Sequence, residues 1–321
     1  MLVSCRCRFV FVYEVFKLNL FQSDISRRSF FSSCGASIVT ASVFLNRPSF
    51  ASSGMTEAFD RKFIEVEAWL GGRLGVAIED VQTGQKWSYR SAERFPMNST
   101  FKAFACAAIL ARADAGKEDL SRRIVFQKED LVTWSPVTEK HVGGRGMTLR
   151  ELCAAASTMS DNTAANLLID ALGGPRGWTD FMRSIGDDVS RLDRKEPDLT
   201  EGTPGDPRDT TSPDAFLESL KAAALGNVLS PASRSQFIDW LVDNRVSGSL
   251  LRAGVPKDWK VGDRTGAGGH ATRGITAIMW PPKRKPIIAT IFVTETRRSM
   301  EDRDAAIAEI GRFLSGRLKA D

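Results

Sequence analysis

The stretch Arg94-Phe95-Pro96-Met97-Asn98-Ser99-Thr100-Phe101-Lys102 organises the rest of the chain. Ser99 and Lys102 stand three residues apart, a spacing that puts both on one face of a helix. Pro96 and Asn98 occupy positions suited to turn and cap residues, so the spelling predicts a helix entrance at the serine. A serine hydroxyl is a weak nucleophile until a neighbouring base takes its proton, and Lys102 is close enough in sequence to be that neighbour. Free N–H groups and the helix dipole at such an entrance favour a developing anion. Alone the pattern is weak, because an exposed polar turn can be spelled the same way.

Outward from this stretch the texture of the chain changes twice. Residues 55–70 read as an amphipathic helix carrying Phe59, Phe63, Ile64, Val66 and Leu70, stopped by Gly71-Gly72. Two strands follow, 73–81 and 86–90, joined by the turn Gln82-Thr83-Gly84. Helical patterns then run to about residue 241. The first, 100–115, is apolar nearly all round and reads as a buried central helix. Others cover 148–159, 162–172, 178–185, 212–224 and 230–244. Residues 191–213 carry no regular pattern, and a loop of that length inside a domain is usually functional. Strands return at 259–262, 273–280 and 286–294, and an amphipathic helix closes the chain at 300–318.

The order predicts an α+β fold: an antiparallel sheet flanked by N- and C-terminal helices, with an inserted all-helical domain and a site between them. Residues 52–92 and 245–321 form the first part and 93–244, with the 191–213 loop, the second. No internal repeat is present.

Residues 1–51 read as an export leader. Ser26-Arg27-Arg28-Ser29-Phe30-Phe31 has the form of a twin-arginine signal, Gly35 begins an apolar run ending at Leu45, and cleavage is expected near Ala51. Residues 1–24 precede that signal and read as an extension or a start assigned too early. The chain carries a formal net charge of +5. Arg6, Arg8, Lys17, Arg27, Arg28 and Arg47 against Glu14 and Asp24 put four of those charges in the leader and leave one for the remainder. No basic stripe remains, so nucleic acid is excluded as a partner. With two histidines, His141 and His270, a multi-histidine metal cage is excluded too, and no cofactor is implied. Of five cysteines only Cys106 and Cys153 follow the leader. The residues alone leave a single disulfide and two buried thiols as equal readings.

Three further segments give Ser99 and Lys102 their context: Ser160-Asp161-Asn162 between two helices, Arg194-Lys195-Glu196-Pro197 in the long loop, and Arg264-Thr265-Gly266-Ala267 at the opening of the late strands. Singly they read as a helix N-cap, a surface carboxylate and a strand-edge charge. In this order they resemble the class A serine β-lactamases, whose signature combines Ser-x-x-Lys, Ser-Asp-Asn, Lys-Thr-Gly and a loop glutamate. The likeness runs over roughly residues 56–318 and includes Leu192-Asp193-Arg194, Arg208-Asp209-Thr210-Thr211 and Thr272-Arg273-Gly274.

The resemblance implies roles. Ser99 is expected as the acylated nucleophile with Lys102 its amine, Glu196 as activator of the deacylating water, and Ser160 as proton donor to the leaving nitrogen. The N–H groups of Ser99 and Ala267 are implied as the oxyanion hole. Asn162, Thr265, Gly266, Arg264 and Arg273 are implied at the substrate, the arginines and Thr265 toward its carboxylate. Cys106 and Cys153 match the positions of a disulfide found in many members, and Arg194 and Asp209 those of an ion pair pinning the loop of Glu196. The implied product is a monomeric periplasmic enzyme acting on small β-lactams, with no stable membrane association after export.

Several departures stand out. Arg264-Thr265-Gly266 replaces Lys-Thr-Gly and resembles the carbenicillin-hydrolysing branch. Thr200 stands where most members carry an asparagine that helps hold the water, and Trp134 where they carry an aromatic gate. Asn98 and Gly268 are not cysteines, so the extra disulfide of one carbapenem-hydrolysing branch cannot form. Asp304 is placed to pair with Arg273. The competing readings are a penicillin-binding D,D-peptidase, which Glu196 argues against, and a non-enzymatic β-lactam sensor, for which Thr200 is the main support.

Overall fold

A computed structural model describes residues 50–318. The twin-arginine-like segment and its apolar run lie outside the described residues. Helix α1 spans Phe50–Leu70, so the expected leader boundary at Ala51 falls in its first turn.

Five strands form one antiparallel sheet: β1 (Arg73–Asp80), β2 (Lys86–Tyr89), β3 (Lys260–Gly268), β4 (Thr272–Trp280) and β5 (Ile287–Thr294). Their order is β2-β1-β5-β4-β3. Val76 lies opposite Ile291 in β1–β5, and Arg264 opposite Thr276 in β3–β4. Side chains alternate between two apolar layers. Leu74, Val76, Ile78, Ile275, Ala277, Ile287, Ala289 and Ile291 face one, with Phe59, Phe63 and Leu70 of α1. Helix α9 (Met300–Leu318) adds Ile307, Ile310 and Leu314 to that layer. Ala77, Ile278, Ile288 and Phe292 face the other. Both faces are therefore dry, which is why these strands read as continuous apolar runs.

The second layer is supplied by the helical segment between β2 and β3. Helix α2 (Phe101–Asp114) is its centre, buried from Phe101 through Leu110. Around it stand α3 (Leu149–Met159), α4 (Asn162–Leu172), α5 (Pro175–Ser184), α6 (Pro213–Leu225) and α7 (Pro231–Val242). Phe216 of α6 joins these helices to the sheet, its ring 4.7 Å from Phe104 and 6.1 Å from Phe292. A short helix α8 (Leu251–Gly254), which the sequence pattern did not reveal, packs on α9.

Some boundaries moved for local reasons. Helix α5 begins at Pro175, not 178: Gly173 is left-handed and ends α4, while Pro175, with no N–H to satisfy, opens the next helix. Strand β3 runs six residues further than expected, so Arg264-Thr265-Gly266-Ala267 lies inside it. Glycine normally argues against strand, but here it serves close packing. A Cβ on Gly266 would stand 2.8 Å from Met97 O and 3.0 Å from Ser99 N. Asn98 does not cap the Ser99 helix with its side chain. Its backbone is left-handed (φ 45°) and its amide donates to Thr272 Oγ1 at 2.8 Å, tying the turn to β4.

The Cys106–Cys153 disulfide is absent. Both thiols are free and buried. Cys106 Sγ lies 3.5 Å from Cys153 O and 3.2 Å from Ser157 Oγ, so it is held between α2 and α3 as a small apolar group with a weak polar handle.

Candidate active site

A 3-10 turn, Asn98–Thr100, leads into α2 and puts Ser99 at the helix entrance. Lys102, one turn on, is completely buried. Its amine does not bond to Ser99. Glu196 Oε1 stands between them, 3.0 Å from Lys102 Nζ and accepting from Ser99 Oγ at 3.3 Å. The remaining amine protons go to Ser160 O at 3.0 Å and to Asn162 Oδ1. With Ser160 Oγ at 3.5 Å as a weaker fourth partner, the three donors of an ammonium are fully used. Burial pulls Lys102 down to about 8; the facing Glu196 carboxylate opposes that shift and Arg264 adds to it.

Glu196 is only 4% exposed, and the surface-carboxylate reading fails. Its Oε2 is buried with no hydrogen-bond partner. Asn166 fixes its backbone from α4: Oδ1 accepts from Glu196 N at 2.9 Å and Nδ2 donates to Glu196 O at 2.9 Å. Sequence reasoning missed Asn166, although it lies one turn beyond Asn162 on the same helix face.

The rest of the loop is held by Asp209. Its Oδ2 meets Arg194 Nε at 2.6 Å, while Oδ1 accepts from the N–H groups of Asp193 and Arg194 at 2.7 and 2.9 Å. Arg194 also pairs with Glu201. Between these anchors the loop has a 3-10 turn at Asp198–Thr200, and the two-residue strand Thr210–Thr211 follows Asp209.

Ser160-Asp161-Asn162 is a helix cap and a site at once. Asp161 caps α4, accepting from Ala164 N at 2.8 Å, and also accepts from the N–H groups of Val137 and Thr138. Ser160, left-handed at φ 61°, ends α3. The cap fixes its two neighbours, and Ser160 and Asn162 both reach the cavity.

That cavity has about 560 Å³ and lies between β3 and the loop of Glu196. Ser99, Trp134, Ser160, Asn162, Glu196, Thr200, Thr265, Gly266, Ala267 and Arg273 line it. Thr133, Pro197, Val246 and Met300 line it too and were not foreseen. Trp134 is 58% exposed and donates from Nε1 to Met159 O, so it is a rim residue and not core. Thr200 spends its hydroxyl proton on Pro197 O at 2.7 Å, so toward any other group that hydroxyl can only accept. Arg273 is gripped by Asp304, Nε to Oδ1 at 2.5 Å and Nη2 to Oδ2 at 3.3 Å. Arg264 is not on the cavity wall. It is fully buried behind Ser160, whose Oγ accepts from its guanidinium, and so stands one side chain back from the position expected of it. A larger cavity of about 790 Å³ beside α2 and α5 has only half-buried or exposed charged residues. It lacks the buried titratable cluster that marks a reaction centre.

A serine at a helix entrance, with a buried amine and a buried carboxylate in contact, places the protein among serine acyl-transfer hydrolases. A family model for the beta-lactamase enzyme family matches residues 58–318. Beta-lactamase AER-1 of Aeromonas hydrophila is 50% identical over 248 residues, covering 77% of this chain and 82% of the relative. Beta-lactamase PSE-4 of Pseudomonas aeruginosa is 45% identical over 265 residues, covering 83% and 92%. Among solved structures, an ancestral (GNCA) class A beta-lactamase superposes with a TM-score of 0.79 at 57% identity, covering 82% of this chain and all of that one. A putative class A beta-lactamase, PenP from Rhodopseudomonas palustris, gives 0.80 at 50% identity, covering 81% and 99%. The chain belongs to the beta-lactamase enzyme family, in class A, and is a hydrolase of β-lactams.

Proposed function

We propose that the enzyme hydrolyses penicillins, carbenicillin among them, through an ester on Ser99, and so confers resistance. Ser99 Oγ bonds to the lactam carbonyl carbon as its proton passes to the Glu196–Lys102 pair. The lactam C–N bond breaks, and the nitrogen takes a proton through Ser160. The carbonyl oxygen is held by the N–H groups of Ser99 and Ala267. Water, activated by Glu196, then attacks the ester, and Ser99 recovers its proton. Arg273 and Thr265 bind the substrate carboxylate, Asn162 the side-chain amide, and Trp134 and Thr200 border them.

One observation carries this reading. Glu196 contacts Ser99 and Lys102 through one oxygen and keeps the other buried and unpartnered, at the edge of the cavity. A carboxylate with one oxygen engaged and one free is suited to orient a water and take its proton. The two lobes, 52–92 with 245–321 and 93–244, meet at this site, and the enzyme works as a periplasmic monomer. Among the described residues no helix is long and apolar enough to cross a membrane.

Purified protein mixed with excess benzylpenicillin, with ring opening followed and intact mass recorded, tests the proposal. Many turnovers with little trapped adduct are expected. A stoichiometric adduct without turnover would refute hydrolysis and make the protein a β-lactam sensor.

A further inference from the structure

Of the large hydrophobic side chains exposed among the described residues, two line the cavity of Ser99: Trp134 and Met300. They belong to different ends of it. Trp134 goes with Asn162: Trp134 O accepts from Asn162 N at 3.0 Å, and Thr133 O accepts from Asn162 Nδ2 at 2.7 Å. Met300 goes with Arg273. It opens α9 one turn before Asp304, and residues four apart share a helix face. Asp304 holds Arg273, Nε to Oδ1 at 2.5 Å, and its Oδ2 accepts from Ser249 Oγ at 2.5 Å. Val246, three residues before Ser249 and half-buried, also lines the cavity. Two segments that meet at Asp304 therefore bring apolar side chains to the Arg273 end. Met300 remains 38% exposed there, with apolar surface for a ligand to cover.

In the reading above, Arg273 and Thr265 hold the substrate carboxylate, and this inference rests on that reading. In a penicillin the ring carbon beside the carboxylate-bearing one carries two methyl groups. In a cephalosporin such as cephalothin the corresponding carbon is trigonal and carries a polar acetoxymethyl arm. Methyl groups next to an anchored carboxylate fall close to the anchor, whereas the acyl side chain, held through its amide at Asn162, lies at the other end. We infer that Met300 is a specificity-determining residue: with Val246 it forms an apolar wall for the dimethyl-bearing ring of penicillins, and so favours them over cephalosporins. A thioether side chain suits this task, because it is unbranched, polarisable and able to adjust to the surface it covers. The contact involves no charge that develops during the reaction. It is binding shared by ground state and transition state, which shows in KM and not in kcat.

The experiment measures kcat and KM for benzylpenicillin, 6-aminopenicillanic acid and cephalothin, in wild type, Met300→Ala and Met300→Leu. Where cephalothin turns over too slowly to follow, its inhibition constant against benzylpenicillin takes the place of KM. 6-Aminopenicillanic acid keeps the penicillin ring and carboxylate and lacks the acyl side chain. Covering about 40 Å² of apolar surface corresponds to about fivefold in affinity. Met300→Ala is therefore expected to raise KM about fivefold for both penicillin substrates, with kcat and the cephalothin constant within about twofold. Met300→Leu, which restores apolar bulk, is expected to stay within about twofold of wild type for all three. Alanine and leucine are both good helix formers at this exposed first residue of α9, so both variants fold.

An unchanged penicillin KM in Met300→Ala overturns the inference. A rise for benzylpenicillin alone overturns it too, because the contact is then with the acyl side chain. An equal rise for all three compounds places the effect on the shared carboxylate, through Asp304 and Arg273, and overturns it as well. So does a fivefold rise in Met300→Leu, since apolar surface is then not what matters. Wild type that turns over neither penicillin substrate overturns the β-lactamase reading itself, and this inference with it.

Discussion

Replacing Glu196 by glutamine separates the two halves of the reaction. The side chain keeps its shape and one oxygen, so the contacts of Oε1 with Lys102 (3.0 Å) and Ser99 (3.3 Å) survive. What is lost is the ability of the free oxygen to take a proton from water. Losing a positioned general base costs about 10²–10⁴ in rate. From a deacylation rate of about 100 s⁻¹, a loss of about 10³ gives an ester lasting about 10 s. Acylation is affected differently. Glu196 holds the Lys102 pKa up against burial, so removing its charge drives Lys102 below about 8 and raises the neutral fraction at pH 7. A neutral amine can accept the Ser99 proton. The expected result is rapid, nearly complete adduct formation on Ser99, with turnover about a thousandfold slower, read by intact mass and by stopped-flow ring opening. Turnover within tenfold of wild type, or slow acylation without an adduct, would refute the assignment of Glu196 to deacylation.

Three further outcomes follow from particular contacts. Asp209→Asn faces an amide toward Arg194 Nε in place of a carboxylate oxygen; with Arg194 part-exposed and still paired to Glu201, the cost is about 2 kcal/mol, seen as a Tm fall of about 4–8 °C and faster proteolytic nicking within 191–213. Gly268→Ala puts a Cβ 2.3 Å from Asn98 Oδ1 and 2.5 Å from Thr200 O; because the second is backbone, the Glu196 loop must shift, and benzylpenicillin kcat/KM is expected to fall about ten- to a hundredfold. The third outcome concerns pH. Lys102 is lowered to about 8 from 10.5, so the unfolded chain binds more protons between those values. Its penalty of about 3 kcal/mol is fully present below pH 8 and lifts as the pH rises toward 10.5. Unfolding curves of wild type and Lys102→Met should therefore converge by about that amount from pH 7.5 to 10.5, and parallel curves would show that the amine is not depressed.

The order of elements was legible in the sequence because apolar periodicity and Gly/Pro stops mark them. The cavity was legible through ordered motifs: Ser99, Ser160, Glu196 and Thr265, far apart in the chain, all reach it. Three kinds of fact were not. Contacts between side chains of distant segments leave no local signal, so Glu196 standing between Ser99 and Lys102 could not be read from the helical spacing that brings those two together. Depth was hidden as well: Arg264 in an alternating strand looks the same whether it faces a cavity or lies one residue behind it. Oxidation state was the third, since two cysteines spell a disulfide and a pair of buried thiols identically.

The charges at the site explain why depth matters. Lys102 and Arg264 are both fully buried, and Glu196 is the carboxylate in contact with the first of them. Arg273 is matched by Asp304, and Arg252 by Asp263. Asp161 is fully buried too and its charge acts on Lys102, so the two buried cations face two buried carboxylates; burial still lowers Arg264 to about 10, against the pull of Asp263 and Glu196. Replacing such a buried guanidinium with an apolar side chain is often stabilising, so its retention points to a role at the site. Arg264 does not line the cavity. It reaches the cavity through Ser160, whose hydroxyl accepts from its guanidinium and lines the wall, so its depth places it behind the residue proposed as proton donor.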